Sequence, residues 1–224
     1  MTHPLDPQQT PAGTAQHPVP AGSSVGEFPV GKVLVIRHGE TEWSASGRHT
    51  SVTDVPLTAR GIEQARGLAG RLASRRIVRV VVSPRRRARD TAELAGLLDP
   101  VVDPDAAEWF YGAYEGRTTE EIRRDRPGWT IWTGDPPGGE TAAEVRTRAD
   151  RLLTSIRPFL ADGDVAIVGH GHFGRVLTAR YLGFPVPAGA HFLLGPATLC
   201  TLGTEHDAPT IDTWNLPPLT EEAP

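Results

Sequence analysis

The sequence predicts an α/β protein, a three-layer α/β/α sandwich around a mostly parallel central sheet. Three aliphatic runs carry that prediction: Val33-Leu34-Val35-Ile36, Val78-Arg79-Val80-Val81-Val82 and Val165-Ala166-Ile167-Val168. Short apolar runs of this kind suit strands buried on both faces of a parallel sheet. Stretches with a helical period separate them, which is the alternation expected of layered α/β folds. Each run also stops at residues that carry chemistry: Arg37-His38-Gly39, then Ser83 with Arg85, Arg86, Arg87 and Arg89 behind it, and Gly169-His170-Gly171. Ligands of open α/β sheets bind beyond the carboxyl ends of the strands. Two imidazoles and an arginine group are therefore predicted to meet in one crevice, suited to an anionic, phosphorylated substrate.

The elements follow in order. Residues 1–28 are rich in Pro, Gln, Ser, Thr, Gly and Ala and contain neither a basic n-region nor an apolar h-region, so they read as a disordered N-terminal tail. A single domain is predicted over 29–215. After the first strand, Thr58 caps a helix running to about Arg75, with Ile62, Ala65, Leu68, Ala69 and Leu72 on its apolar face. The second strand leads to a helix with Pro84 at its first position and Ala88, Thr91, Ala92 and Ala95 continuing the period to about Leu98, which places Arg87 in the first turn. A long helix spans about Glu140 to Leu160, with Val145, Ala149, Leu152, Leu153 and Ile156 at helical spacing. A further helix runs from about Phe173 to Tyr181. Late strands are predicted at 197–202 and 210–214, and residues 216–224, with three prolines, as a flexible C-terminal tail.

Composition narrows the function classes. A net charge of −4 over 224 residues and a pI near 6.1 leave no general basic face, so nucleic acid is not an expected partner. Lys32 is the only lysine, and the remaining basic residues are arginine. A single cysteine, Cys200, excludes an intramolecular disulfide and fits a reducing, cytoplasmic setting. No stretch has the ~18 apolar residues of a membrane span, so no membrane partner is expected. The oligomeric state is left open, a homodimer included.

Five motifs in order then resemble the histidine phosphatase superfamily, which has the phosphoglycerate-mutase-like fold. They are Arg37-His38-Gly39-Glu40-Thr41, the segment from Ser83 to Ala92, the segment from Glu108 to Gly116, Gly138-Gly139-Glu140-Thr141, and Gly169-His170-Gly171. Glu42-Trp43-Ser44, Gly47-Arg48-His49-Thr50 and Trp129 to Trp132 are most similar to the branch of mycobacterial acid phosphatase and fungal sedoheptulose-bisphosphatase.

The resemblance implies a metal-independent phosphoric monoester hydrolase without cofactors, acting on a small phosphorylated molecule. His38 would be the nucleophile, since a neutral imidazole adds no negative charge against a phosphate dianion. Arg37, Arg87 and an imidazolium at His170 would meet the phosphoryl oxygens, with Ser44 and Gly171 also binding phosphate or substrate. Glu108 would be the general acid and then the base for the attacking water, a role that requires it protonated at working pH. His170 and His172 alone suggest a metal pair, but no further ligand follows at suitable spacing, and no metal is expected. Glu40 either supports the site or caps a turn. Tyr111, Tyr114, Trp129 and Trp132 either line a cleft or pack. Arg48, His49, Arg123, Arg124 and Arg126 either meet a second anionic group or are surface. Phosphoglycerate mutase-type phosphoryl transfer and a non-catalytic phosphate-binding module are the alternatives. Ser44, where mutases carry Asn, and the short stretch from Gly116 to Trp129 favour hydrolysis.

Overall fold

A computed structural model describes residues 31–219. The tail predicted over 1–28 lies outside the described residues, as do 220–224. Six strands form one sheet in the order β3-β2-β4-β1-β5-β6. β1 (Val33–Arg37), β4 (Asp164–Gly169), β2 (Ile77–Val82) and β3 (Val101–Val102) are mutually parallel. β5 (Leu199–Glu205) runs antiparallel to β1 and to β6 (Ala208–Leu216). The side-chain alternation of the inner strands feeds two cores. Val33, Val35, Val165 and Ile167 pack beneath α5 (Ala142–Ile156) and α6 (Gly171–Tyr181). Leu34, Ile36, Ala166 and Val168 pack with α2 (Ala59–Leu72) and α3 (Arg86–Leu94). Continuous apolar runs read as strands because both faces are covered.

Local chemistry sets the helix ends. The Thr58 hydroxyl accepts from the Gly61 amide and starts α2. Its buried face is Gly61, Ala65, Leu68 and Leu72; Ala69, predicted there, is exposed. Gly61 takes a place on that face because a Cβ on it would lie 2.1 Å from the Glu40 carbonyl oxygen, and one on Gly39 would lie 2.4 Å from the Gly61 oxygen. This contact lets the chain leaving β1 cross the start of α2. In α3 the cap differs from expectation: the helix begins at Arg86, and Pro84 precedes it. The first turn is held instead by Asp54, whose carboxylate accepts from the Arg86 amide at 2.8 Å. Arg87 is nevertheless in the first turn. α5 opens on a capping box between Thr141 and Glu144. It ends at Ile156, where Pro158, lacking an N–H, tightens the continuation into a 3₁₀ turn over Arg157–Ala161.

The late strands, the far edge of the sheet and the C-terminal stretch differ from the sequence reading. β5 and β6 extend to Glu205 and Leu216 as an antiparallel pair. β3, unpredicted, has only two residues, both exposed. Pro217 and Leu219, within the stretch predicted as loose, bond to α2: the Pro217 oxygen accepts from Arg71 and the Leu219 amide donates to the Gly67 oxygen. α1 (Glu42–Ala45) and α4 (Thr119–Asp125) lie in the loops above the sheet, each with a capping box. Among the described residues no helix is long and apolar enough to cross a membrane.

Candidate active site

The register of three neighbouring strands aligns the chemistry. Arg37 pairs with Gly169 across β1 and β4. The His38 amide then donates to the Gly169 oxygen, and the Ser83 amide to the Val168 oxygen. His38, His170 and Ser83 thus leave the sheet at the same level, and the two imidazole centroids lie 5.2 Å apart.

The hydrogen bonds fix each ring. His38, 5% exposed, has Nδ1 2.7 Å from the Gly39 oxygen. A carbonyl only accepts, so Nδ1 carries the proton and Nε2 offers its lone pair. Nε2 faces the Nε–H of Arg87 at 3.3 Å. Burial, reinforced by Arg87 and Arg37, holds this imidazole well below its ordinary pKa. At His170, 1% exposed, Arg87 donates to Nδ1 at 3.2 Å, so Nε2–H must donate to the Ser83 hydroxyl at 2.6 Å. Burial, then Arg87 and His38, also depress its pKa strongly. His170 is therefore neutral here, not the imidazolium expected: a proton on Nδ1 would point at the guanidinium that donates to it.

Arg87 is fully buried and also donates to the carbonyls of Thr50, Ser51 and Thr53. Arg37 donates to the Leu194 oxygen at 2.6 Å, while its Nε is buried without a partner among the described residues. A Cβ on Gly171 would sit 3.3 Å from the Arg37 guanidinium carbon, so glycine there leaves the fork its room. Glu108, 8% exposed, accepts from the amides of Trp109, His172 and Phe173 at 2.7–3.0 Å, two of them in the first turn of α6. Arg148 holds the Glu108 loop from below through the oxygens of Asp105 and Ala107 and a bidentate pair with Glu140.

A cavity of about 190 Å³ collects Arg37, His38, Ser44, Glu108 and Gly171. Glu108 also borders a second space of about 380 Å³, beside Arg85, Glu140 and Arg148. Ser44 lines the first cavity, yet its hydroxyl is committed to Thr41 within the α1 cap. Glu40 accepts from Thr58 and is a turn residue. Arg48 and His49 line the cavity, whereas Arg123 and Arg126 bond to loop carbonyls and Arg124 pairs with Glu120. Of the four aromatics only Tyr111 reaches the cavity; Tyr114 and Trp129 are core, and Trp132 stacks under Arg175 at 4.6 Å. Sequence reasoning missed Arg175, Thr119 and Leu194, which also line it. Arg175 had a readable signal, since it falls one helical turn after Gly171. Among the described residues no three His, Cys, Asp or Glu side chains are grouped to hold a metal.

The buried imidazoles carry a stability consequence. His49 is pushed down to about 4 by burial, and burial also lowers His38, His170 and His172. The unfolded chain takes up protons below about 6.5 that the folded chain refuses, so stability is full above that pH and is lost as pH falls towards the folded values. Each such histidine costs about 1.4 kcal/mol per pH unit across its window. Urea midpoints should therefore drop steadily from pH 7 to pH 5, with a shallower slope for His49→Phe. A midpoint that is level over that range contradicts the neutral assignment.

The sheet, the strand-end histidines and the guanidinium forks define a class of α/β proteins built to handle a phosphoryl group. The chain belongs to the histidine phosphatase superfamily (branch 1), whose family model matches residues 33–217. It is 43% identical over 178 residues to an acid phosphatase of Mycobacterium tuberculosis, covering 78% of this chain and 87% of that protein. It is 34% identical to sedoheptulose 1,7-bisphosphatase of Saccharomyces cerevisiae, over 69% of each. A solved open reading frame product of Mycobacterium tuberculosis superposes with a TM-score of 0.81 at 39% identity, covering 84% of this chain and 98% of that one.

Proposed function

We propose that this protein is a metal-independent phosphatase that hydrolyses small-molecule phosphate monoesters through a phosphohistidine at His38. The observation that carries the reading is the fixed His38 tautomer, whose Nε2 lone pair meets the Arg87 Nε–H beside His170, with Arg37 lining the same cavity as His38. Among the described residues neither Arg37 nor Arg87 forms an ion pair with a carboxylate. A phosphoryl dianion supplies that missing counter-charge, and the bare Nε of Arg37 a missing acceptor.

The steps follow from these groups. His38 Nε2 attacks phosphorus as the ester P–O bond breaks, and Glu108 gives its proton to the departing alkoxide. Charge spread over the three equatorial oxygens meets Arg37 and Arg87. His170 stays neutral and acts by holding Arg87 through Nδ1, with its Nε2–H on the Ser83 hydroxyl. Glu108, now ionised, takes a proton from water, which cleaves the P–N bond, releases phosphate and restores His38.

The test is phosphate release from a panel of metabolite monophosphates in EDTA. Turnover is expected to survive prolonged chelation and to be inhibited by vanadate; activity lost to EDTA and restored by Mg²⁺, Mn²⁺ or Zn²⁺ would overturn the metal-free reading. Hydrolysis is separated from mutase action by ³¹P NMR of 3-phosphoglycerate with a trace of 2,3-bisphosphoglycerate. Any turnover should yield inorganic phosphate; equilibration of the 2- and 3-isomers without phosphate release would make the mutase alternative correct.

A further inference from the structure

His172 takes no part in the steps above, yet it is the second residue of α6 and lines the cavity that holds His38. Its backbone amide donates to Glu108 Oε2 at 3.0 Å, so its ring is tied to the stretch that carries the proton donor. The ring plane is set on two sides, with Trp132 edge-on at 5.3 Å and His49 at 5.7 Å.

The hydrogen bond of the ring decides what it can offer. Nδ1 lies 2.6 Å from the Tyr111 hydroxyl, and that hydroxyl has no other partner among the described residues. A buried phenol must find an acceptor for its O–H, so Tyr111 donates and Nδ1 accepts. Burial, followed by the charge of Glu108, raises the phenol pKa and keeps that proton in place. The ring proton of His172 is then on Nε2. His172 lines the cavity, and Nε2, with no acceptor among the described residues and not among the enclosed unpartnered atoms, is the polar ring atom left for that space. The wall beside Glu108 thus presents one neutral, directional N–H.

We infer that His172 donates to a hydroxyl oxygen of the leaving alcohol, which makes the substrates phosphate monoesters of hydroxylated alcohols, polyols or sugars, rather than of plain hydrocarbons. Charged oxygens already have guanidinium forks in this cavity; a single uncharged N–H matches an uncharged oxygen near the ester. The inference rests on the phosphatase reading and narrows its substrate class.

The test compares kcat/KM for glycerol 3-phosphate, propyl phosphate and p-nitrophenyl phosphate. The wild type should prefer glycerol 3-phosphate to propyl phosphate by about tenfold or more. His172→Phe, which keeps a ring but cannot donate, should lose about ten- to a hundredfold on glycerol 3-phosphate and stay within about threefold on the other two. His172→Gln, which can present an N–H, should recover part of the preference, and Tyr111→Phe, which frees the tautomer, should lose part of it. Equal losses on all three substrates, or a wild type blind to the hydroxyls, overturns the inference while leaving the phosphatase reading intact. If none of the three is hydrolysed, the phosphatase reading itself falls. Should His172→Phe not fold, as judged by its melting curve, the decision passes to the Gln and Tyr111→Phe pair, where unchanged selectivity in both overturns it.

Discussion

Replacing His38 with alanine is expected to remove at least ~10³-fold of the phosphatase rate. The geometry offers no substitute nucleophile. His170 commits Nε2 to Ser83 and Nδ1 to Arg87, and its ring stands 5.2 Å from the position vacated. The loss should fall on kcat, with substrate affinity largely kept because Arg37 and Arg87 stay in place. Rapid quench with ³²P-labelled substrate should trap an acid-labile adduct in the wild type and none in the variant. A His38→Ala enzyme that retained more than a tenth of its activity would sink the assignment.

The second large effect is expected at Glu108. Glu108→Gln keeps the shape of the side chain but removes the exchangeable carboxyl proton. An alkyl phosphate, whose alkoxide is a poor leaving group, should lose ~10²–10⁴-fold in kcat. p-Nitrophenyl phosphate, whose phenolate leaves without help, should lose far less in the P–O cleavage step. Equal losses on both substrates would remove Glu108 from the acid role. The amides of Trp109, His172 and Phe173 would meet one amide oxygen and one amide nitrogen in the variant, so a melting curve belongs beside the kinetics.

The parts of the fold legible in the sequence were those where one residue's chemistry decides locally. Val33 to Ile36 and Val165 to Val168 had to be inner strands because every position is apolar, and both are buried on both faces. Thr58 and Thr141 had to cap helices. The meeting of His38, Arg87 and His170 followed from the strand ends, and the ordered motifs pointed to Arg37 and Glu108, which line one cavity with His38. What escaped depends on contacts across the chain. Asp54 caps α3 from 32 residues away, which moved its start past Pro84. The tautomer of His170 is set by Arg87 and Ser83, neither adjacent to it in sequence. Ser44 lines the cavity, as its motif position suggested, while its hydroxyl also exchanges bonds with Thr41 in the α1 cap. β3 was invisible because two exposed valines carry no period.

The way His38 and His170 are mounted divides this molecule into a part that resists redesign and a part that invites it. The His38 amide extends the ladder onto Gly169, the residue before His170, so the separation of the two rings is inherited from the sheet and owes little to any loop. The side chains of Arg48, His49, Thr119 and Leu194, which share the cavity with them, come instead from outside the strands. A combinatorial library confined to those four positions would vary the wall of the cavity while leaving the strand-end histidines in register, and insertions after Gly116 would reshape the entrance on the same fixed footing.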